Sequence, residues 1–336
     1  MITKYYNKLP TFIKSNISKI NYSVNNLPKI YQPNLQSEKF PGNTYGGVIL
    51  SADFELGWAV RYSKHLKDPI SFANEERKNI PVILNHLANY NIPIVWSTVG
   101  HLFLKSCKQG DHDWMHRLPY FNDHWNYMDG DWFDCDPYSN WEKDNAWYAP
   151  DLIEKILNSK VKHEIACHTF SHIDCSYKNC PSEVIDDEIK ACVEIGKKWG
   201  ISFKSLTFPG GTAGNYETLL KYGIAICRKR HLDFEIGYPF RNEHGILISP
   251  TGPSIAMAYP QWSIDYLYSR YKKAIDKAIR YNSLVHFWFH PSQEEKTFTL
   301  LMPKILKYMA DKRDEGKLWI GTMEQISAHI NQHKIL

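Results

Sequence analysis

From about residue 45 onward, short apolar runs alternate with stretches in which apolar residues recur at helical spacing. Residues 47–53 read as a buried strand. Residues 72–90 read as a helix, with Ile80, Ile83, Leu84 and Leu87 on one face and Pro81 marking its first turn. Residues 92–98 form the next expected strand. The pattern then fails over 103–150, a stretch rich in Asp, Trp, Tyr and Asn with no steady period. It resumes with a short helix at 151–157 capped by Asp151, a strand at 162–167, and an amphipathic helix at 182–199 ended by Gly200. Further strands are expected at 203–208, 224–227, 246–249, 284–289 and 318–322. Helices are expected at 216–222, 264–280 and 303–312 and in the C-terminal tail. Repeated strand–helix alternation predicts a parallel sheet, open or closed into a barrel. In such sheets ligands bind at the C-terminal ends of the strands.

Residues 1–44 are frequent in Asn and Pro and end on the break Pro41-Gly42-Asn43, so they read as an N-terminal arm. Residues 45–336 then form one α/β unit carrying the 103–150 insertion. The first 20 residues mix Lys with Tyr, Ile and Phe without an unbroken apolar run. They read as an amphipathic arm that packs on the body or touches a membrane surface, with packing favoured, and not as a secretion signal. Long irregular insertions often serve as lids, and specificity is expected to reside in this one.

Composition narrows the field. The 336 residues and 43% hydrophobic content support a large core. The formal net charge is +4, with Lys and Arg spread along the chain and no basic block, which argues against nucleic acid as a partner. No segment reaches the apolar length of a membrane span. Seven Cys, an odd number without a CxxC pair, read as free thiols in a reducing compartment, hence a cytoplasmic placement. The 11 Trp and 21 Tyr serve packing for the most part, and some of them suit the C–H faces of sugar rings. A homo-oligomer is left open.

Of 15 His, four pairs stand four residues apart, so context must choose among them. His329 and His333 lie in the C-terminal turns and read as solvated. His286 and His290 lie on an expected strand, where four residues span about 13 Å, too far to share one ion. His112 and His116, with Asp113 between, are a rival metal site inside the insertion. His168 and His172 follow the apolar run Glu164-Ile-Ala-Cys, and a helical turn there would aim both rings to one side. An acidic pair, Asp53 and Glu55 in Ser51-Ala-Asp-Phe-Glu, ends another apolar run. Two imidazoles and one carboxylate can hold a divalent metal, and the second carboxylate is then free to act as general base toward a metal-acidified water. His290, at the end of its own strand, is the candidate acid.

These residues carry a resemblance. Over roughly residues 45–325 the chain resembles the polysaccharide deacetylase superfamily, the NodB-homology or carbohydrate esterase family 4 fold. Glu164-Ile-Ala-Cys-His168-Thr-Phe-Ser-His172 is similar to that family's His-(Ser/Thr)-x-x-His motif, and Ser51-Ala-Asp53-Phe-Glu55 to its first motif in an Asp-x-Glu form. The resemblance implies a distorted (β/α) barrel of seven or eight strands. It implies a divalent metal (zinc first, cobalt or nickel as alternatives) on Glu55, His168 and His172, with Asp53 as base and His290 as acid. His286 is the fallback acid. The family's third motif places an Arg beside a strand-end Pro, but Leu206-Thr-Phe-Pro209-Gly-Gly-Thr-Ala-Gly-Asn215 has none. Arg228, after the next strand, is the expected spatial substitute. Asp233 and Asp265 are the candidates to orient the late His. Pro209, Asn215, Arg228 and Trp288 are expected to contact substrate. The activity implied is removal of an acetyl group from an N-acetylated sugar or a nucleotide- or lipid-linked glycan precursor. The alternatives are an allantoinase-like amidase on a non-sugar amide or cyclic imide, and a carbohydrate-binding protein whose catalytic site has decayed.

Overall fold

The computed structural model describes residues 10–16, 30–31, 40–62, 68–119, 125–230, 235–257 and 261–335. Most of the expected arm, and Asp233, lie outside the described residues. The strands are β1 (Ile30–Tyr31), β2 (Gly46–Phe54), β3 (Val95–Thr98), β4 (Glu164–Cys167), β5 (Ser205–Thr207), β6 (Ile226–Lys229), β7 (Ile236–Gly237), β8 (Phe240–Arg241), β9 (Leu247–Pro250), β10 (Leu284–Phe289) and β11 (Leu318–Gly321). The helices are α1 (Pro69–Tyr90), α2 (Pro150–Leu157), α3 (Ser182–Lys198), α4 (Tyr216–Lys221), α5 (Ile264–Arg280), α6 (Met302–Asp314) and α7 (Met323–Gln332).

Strands β10-β2-β3-β4-β5-β6-β9 run parallel, in that order, as a curled wall. β11 shares one edge of β2 with β3, pairing its first half while β3 pairs its second. At the outer edge of β10 the short β7 pairs antiparallel, Val285 opposite Ile236, and backbone bonds beyond β9 draw the curl together. Gly252 N donates to the His286 carbonyl at 2.9 Å and Ile255 N to the Trp288 carbonyl at 2.7 Å. Gly252 is required at this closure, because a Cβ there would stand 2.8 Å from the His286 oxygen. The expected distorted barrel is therefore the observed one.

The period-2 alternation of strands sorts side chains between its two faces. Outward along β2, Val48, Leu50, Ala52 and Phe54 join the large core beneath the helices. Inward, Ile49 meets Val95, Ala166, Ile226, Leu247 and Leu284 in a second apolar cluster at the lower end, plugged by Met323, Ile326 and Ile330 of α7. Further along the same inward face come Ser51, Asp53 and Glu55. The interior thus changes from apolar to hydroxyl to carboxylate toward the C-terminal strand ends, where the chemistry collects.

Glu164, at the lower end of β4, fixes the plug. Its carboxylate accepts from Ser205 Oγ and from Glu324 N in the first turn of α7, the latter at 2.8 Å. Burial, outweighing these hydrogen bonds, raises its pKa above the ordinary value. The folded state therefore binds this proton more tightly than the unfolded chain does. The resulting stability is present below the ordinary carboxylate range and is lost as pH climbs through the raised value. In Glu164→Gln that loss should vanish: urea midpoints at pH 5 and pH 8 should converge relative to wild type, and an unchanged difference would contradict this assignment.

Several expectations are corrected. α1 begins at Pro69, with the Asp68 carboxylate accepting from Ile70 N and Ser71 N, so Pro81 lies inside the helix and not in its first turn. Ala149 precedes α2, and Asp151 instead pairs with Arg77 at 2.9 Å. His329 is buried, and only His333 of that pair is exposed. β1, β7 and β8 have two residues each, too short to leave a period in the sequence. The insertion is packed: Met115, Leu118, Met128, Trp132, Phe133 and Tyr148 are buried in the main core. All seven Cys are free thiols. Among the described residues no helix is long and apolar enough to cross a membrane.

Candidate active site

Asp53 and Glu55 emerge at the end of β2, and Glu76 of α1 fixes the turn that follows. Its carboxylate accepts from Glu55 N at 3.0 Å and Leu56 N at 3.2 Å. The His168–His172 segment is not a helical turn. Thr169 and His172 take positive φ (58° and 60°), and this doubled left-handed bend brings both rings inward. Buried partners hold the bend. Ser171 N donates to Glu188 at 2.8 Å, Arg61 Nη2 to the Ser171 carbonyl at 2.9 Å, and Trp132 Nε1 to Ser171 Oγ at 2.8 Å.

His168 Nε2 and His172 Nε2 lie 2.8 and 3.0 Å from the same atom, Glu55 Oε1. Their other nitrogens are committed. His168 Nδ1 faces the Thr207 carbonyl at 2.7 Å, and that oxygen can only accept, so Nδ1 carries the proton. Tyr62 donates its hydroxyl hydrogen to the His172 carbonyl, so its oxygen accepts from His172 Nδ1 at 2.7 Å. With both rings neutral, each Nε2 lone pair points at the same carboxylate oxygen, three acceptors converging on one point. A divalent cation fits that donor set: two neutral imidazoles with tied back nitrogens and one carboxylate. Burial pushes the Glu55 pKa up, but the imidazoles of His172, His290 and His168 set around it outweigh that and hold the carboxyl well below its usual range. Burial lowers the His172 pKa. A charged carboxylate and a neutral imidazole are the protonation states metal binding needs.

Asp53 sits beside this group. Arg228 of β6 grips it with two parallel bonds, Nη1 to Oδ1 at 2.8 Å and Nη2 to Oδ2 at 2.6 Å, and also donates to Ser51 Oγ at 2.6 Å. Such a fork fixes a carboxylate in plane and direction. Below it, His286 Nε2 meets Ser51 Oγ at 3.0 Å and His286 Nδ1 meets Ser249 Oγ at 2.8 Å. Burial, with the Arg228 charge, drives the His286 pKa well down, so it is a neutral link in this ladder.

His290 comes in from the end of β10, one third exposed, with Nε2 3.6 Å from Glu55 Oε2 and 3.9 Å from Asp53 Oδ2. Asn79 of α1 secures the following loop through the Pro291 carbonyl at 2.8 Å. A pocket of about 290 Å³ opens over these groups, lined by Asp53, Glu55, His168, Arg228 and His290 together with Phe208, Gly210, Gly211, Arg230, Thr251 and Trp288.

Two expected contact residues stand back from this lining. Pro209 is buried between Phe208 and Gly210, which line the pocket in its place. Asn215 spends its amide on the Cys175 and Cys180 carbonyls at 3.0 and 3.1 Å, tying two loops together. Asp265 is exposed and pairs with Lys304, so it does not orient His290. The rival site is rearranged as well. His116 is exposed against Asp187 and Asp113 is exposed, whereas His112 turns inward to His101, Cys107 and Asp136. Sequence reading missed Tyr62, Glu76, Glu188 and Arg61. None lies in a motif, and the only trace was the oddity of carboxylates at apolar helix positions.

No protein-family model matches the chain, and no curated protein matches it. Solved structures do. A Mycobacterium smegmatis protein assigned as a polysaccharide deacetylase aligns with TM-score 0.63 at 12% identity, covering 92% of this chain and 97% of that one. A Pseudomonas aeruginosa PAO1 protein with the same assignment aligns with TM-score 0.62 at 11% identity, covering 94% and 98%. Puue allantoinase aligns with TM-score 0.61 at 12% identity, covering 90% and 94%. The fold is therefore that of the NodB-type polysaccharide deacetylases, shared by an allantoinase. At such identities the likeness is one of fold, and function must be argued from the site.

Proposed function

We propose that this protein is a metal-dependent hydrolase that removes an acetyl group from an N-acetylated sugar or glycan precursor. The observation that carries the reading is the convergence of His168 Nε2 and His172 Nε2 on Glu55 Oε1, with an arginine-clamped Asp53 beside them at the base of one pocket. Glu55, His168 and His172 would hold the divalent ion, with zinc first for this nitrogen and carboxylate set and cobalt or nickel as alternatives. When bound, it supplies charge to polarise the amide carbonyl and lowers the pKa of water toward neutrality.

The rest is done by the chain. Asp53 keeps one lone pair on each oxygen beyond those engaged by Arg228, and takes the proton from the attacking water. His290, near both carboxylates yet open to the pocket, donates a proton to the departing nitrogen. Trp288, its indole N–H held by the Gly252 carbonyl at 3.1 Å, and Phe208 give the pocket apolar walls suited to a sugar ring. A role for the 103–150 insertion in specificity rests on Trp132, which reaches the His168–His172 bend. The free thiols favour a cytoplasmic placement and a precursor glycan.

The test is acetate release by zinc- or cobalt-loaded protein from a panel of N-acetylated sugars, nucleotide sugars and chitin oligomers, run beside allantoin and simple cyclic imides. Acetate release supports the proposal. Ring opening of the imides alone would move the protein to the amidase reading, and no turnover on either set to the binding-protein reading.

Arg228 acts here as a positioning residue. Arg228→Ala should lower kcat by about 10- to 100-fold with KM little changed and metal content intact. Arg228→Lys should recover only part of the loss, because an ammonium cannot form the fork. Equal kcat in all three proteins would remove Arg228 from the site.

A further inference from the structure

A second group of ligand-type side chains lies in the insertion, apart from the pocket. His101 follows β3 on the turn Gly100–Phe103, and Cys107, His112 and Asp136 come from the irregular chain beyond it. All four are buried, with their donor atoms within 4.8 Å of one another. His101 Nε2 stands 3.3 Å from His112 Nε2, 2.9 Å from Asp136 Oδ2 and 3.8 Å from Cys107 Sγ. Asp136 Oδ2 lies 2.8 Å from Cys107 Sγ and 3.5 Å from His112 Nε2. With metal–ligand bonds of about 2.0–2.3 Å, tetrahedral donors stand about 3.3–3.6 Å apart. The two short contacts to Asp136 would open by roughly half an ångström on ligation; His101–His112, His101–Cys107 and His112–Asp136 already match within a few tenths.

Hydrogen-bond accounting favours a cation at the centre. The His101 Nδ1 atom faces the Trp147 carbonyl at 3.3 Å. If Nδ1 carries the proton, the Nε2 lone pair points at the Asp136 carboxylate. If Nε2 carries it, the Nδ1 lone pair points at a carbonyl. Either neutral tautomer thus buries two acceptors face to face, at a site closed to solvent. The second oxygen of Asp136 is already served by the Tyr148 hydroxyl at 2.5 Å and by Tyr138 N at 3.1 Å, which aims Oδ2 at the cluster.

We propose that His101, Cys107, His112 and Asp136 form a structural zinc site that fastens the insertion to the barrel. The donor set is one thiolate, two imidazoles and one carboxylate. That mix suits zinc, and four protein ligands in a closed pocket leave no position for substrate. Binding releases the Cys107 thiol proton to solvent as the sulfur–metal bond forms. The location gives the ion a purpose. His101 N donates to the Phe170 carbonyl and Gly100 N to the Thr169 carbonyl, each at 2.9 Å, and the Phe170 ring packs on both His101 and His112. The second ion would therefore brace the bend that carries His168 and His172.

Cobalt titration of the metal-stripped full chain tests this independently of the proposed activity. The pocket ligands include no sulfur, so thiolate-to-cobalt charge-transfer absorption reports the insertion site alone. The expected result is about two equivalents of cobalt bound, one of them giving that absorption. Cys107→Ser should abolish the absorption, and His168→Ala/His172→Ala should retain it with one equivalent lost. Absence of the absorption in wild type, with all bound metal lost in the His168→Ala/His172→Ala variant, would overturn the site and leave a buried His101 imidazolium paired with Asp136. The wild-type titration decides the matter even if Cys107→Ser fails to fold. A failed pocket reading would look different: the thiolate absorption present, and metal content unchanged in the His168→Ala/His172→Ala variant.

Discussion

Asp53→Asn is expected to lower kcat for acetate release by about 10²- to 10⁴-fold, the usual worth of a positioned general base, while metal content stays at the wild-type value. The substitution is nearly isosteric, and Ser51, Arg228 and His286 already enforce the local geometry. What it removes is the ability to take a proton. It also replaces one of the two charge-assisted bonds to Arg228 by a contact between two donors, so the guanidinium will shift. A fall in kcat larger than that of Arg228→Ala separates loss of the base from loss of its support. KM should change little, because the carboxylate is asked to act in the transition state and not on the ground-state sugar. If Asp53→Asn lost the metal instead, Asp53 would be a ligand, and Glu55 would be left as the candidate base. A kcat within a few-fold of wild type would remove Asp53 from the chemistry altogether. Acetate release and elemental analysis on the same preparations distinguish the three outcomes.

How much of this was legible in the sequence depends on whether a residue's position follows from local pattern. Asp53, Glu55, His168, His172 and His290 were legible because each ends an apolar run, and strand ends in a parallel barrel must meet. Arg228 was legible only as a substitute for an absent motif. The register places it: Thr207 of β5 stands opposite Arg228 of β6, and from one strand over the guanidinium reaches Asp53. Asn215 stands back from the pocket because the fold spends its amide on two carbonyls, a tie between loops that no local pattern announces. The helical turn expected at His168 gave way to two positive-φ residues, since a Ser171 N–H bonded to Glu188 outweighs the local cost of a left-handed Thr169. His112 was noticed, but its partners were assigned by proximity in sequence. Three of the four members of its cluster lie within 12 positions, at spacings that match no known ligand motif, and the fourth arrives from residue 136. Tertiary assembly alone makes that group.

His168→Ala/His172→Ala should abolish the activity more completely than any other change to this pocket, by about 10³- to 10⁵-fold, the several kcal/mol that metal-assisted charge stabilisation contributes. The reason lies in the number of ligands left. Without the two imidazoles Glu55 is the one proposed ligand left, and its neighbours make a poorer set, since Asp53 is tied to Arg228 and His290 is one third exposed. The protein should still fold. Both rings lie at the top of the barrel, and the bend that carries them is held by Ser171, Glu188, Arg61 and Trp132, not by the rings themselves. Alanine also removes the two acceptors that press on Glu55, so its carboxylate faces a small water-sized space and not an unmatched partner. A cooperative urea transition, its midpoint lowered only by the freed Thr207 carbonyl, together with lost turnover and the loss of about one metal equivalent are the expected results. The single variants should be graded. His172→Ala leaves the His168–Glu55 pair, and His168→Ala additionally frees the Thr207 carbonyl in the barrel wall, so the second should lose more metal and more stability than the first. Unchanged metal content with unchanged acetate release in the double variant would mean that the three converging acceptors are an ordinary hydrogen-bonded cluster. The ladder from Ser249 through His286, Ser51 and Arg228 to Asp53 would then have to be explained without the metal beside it.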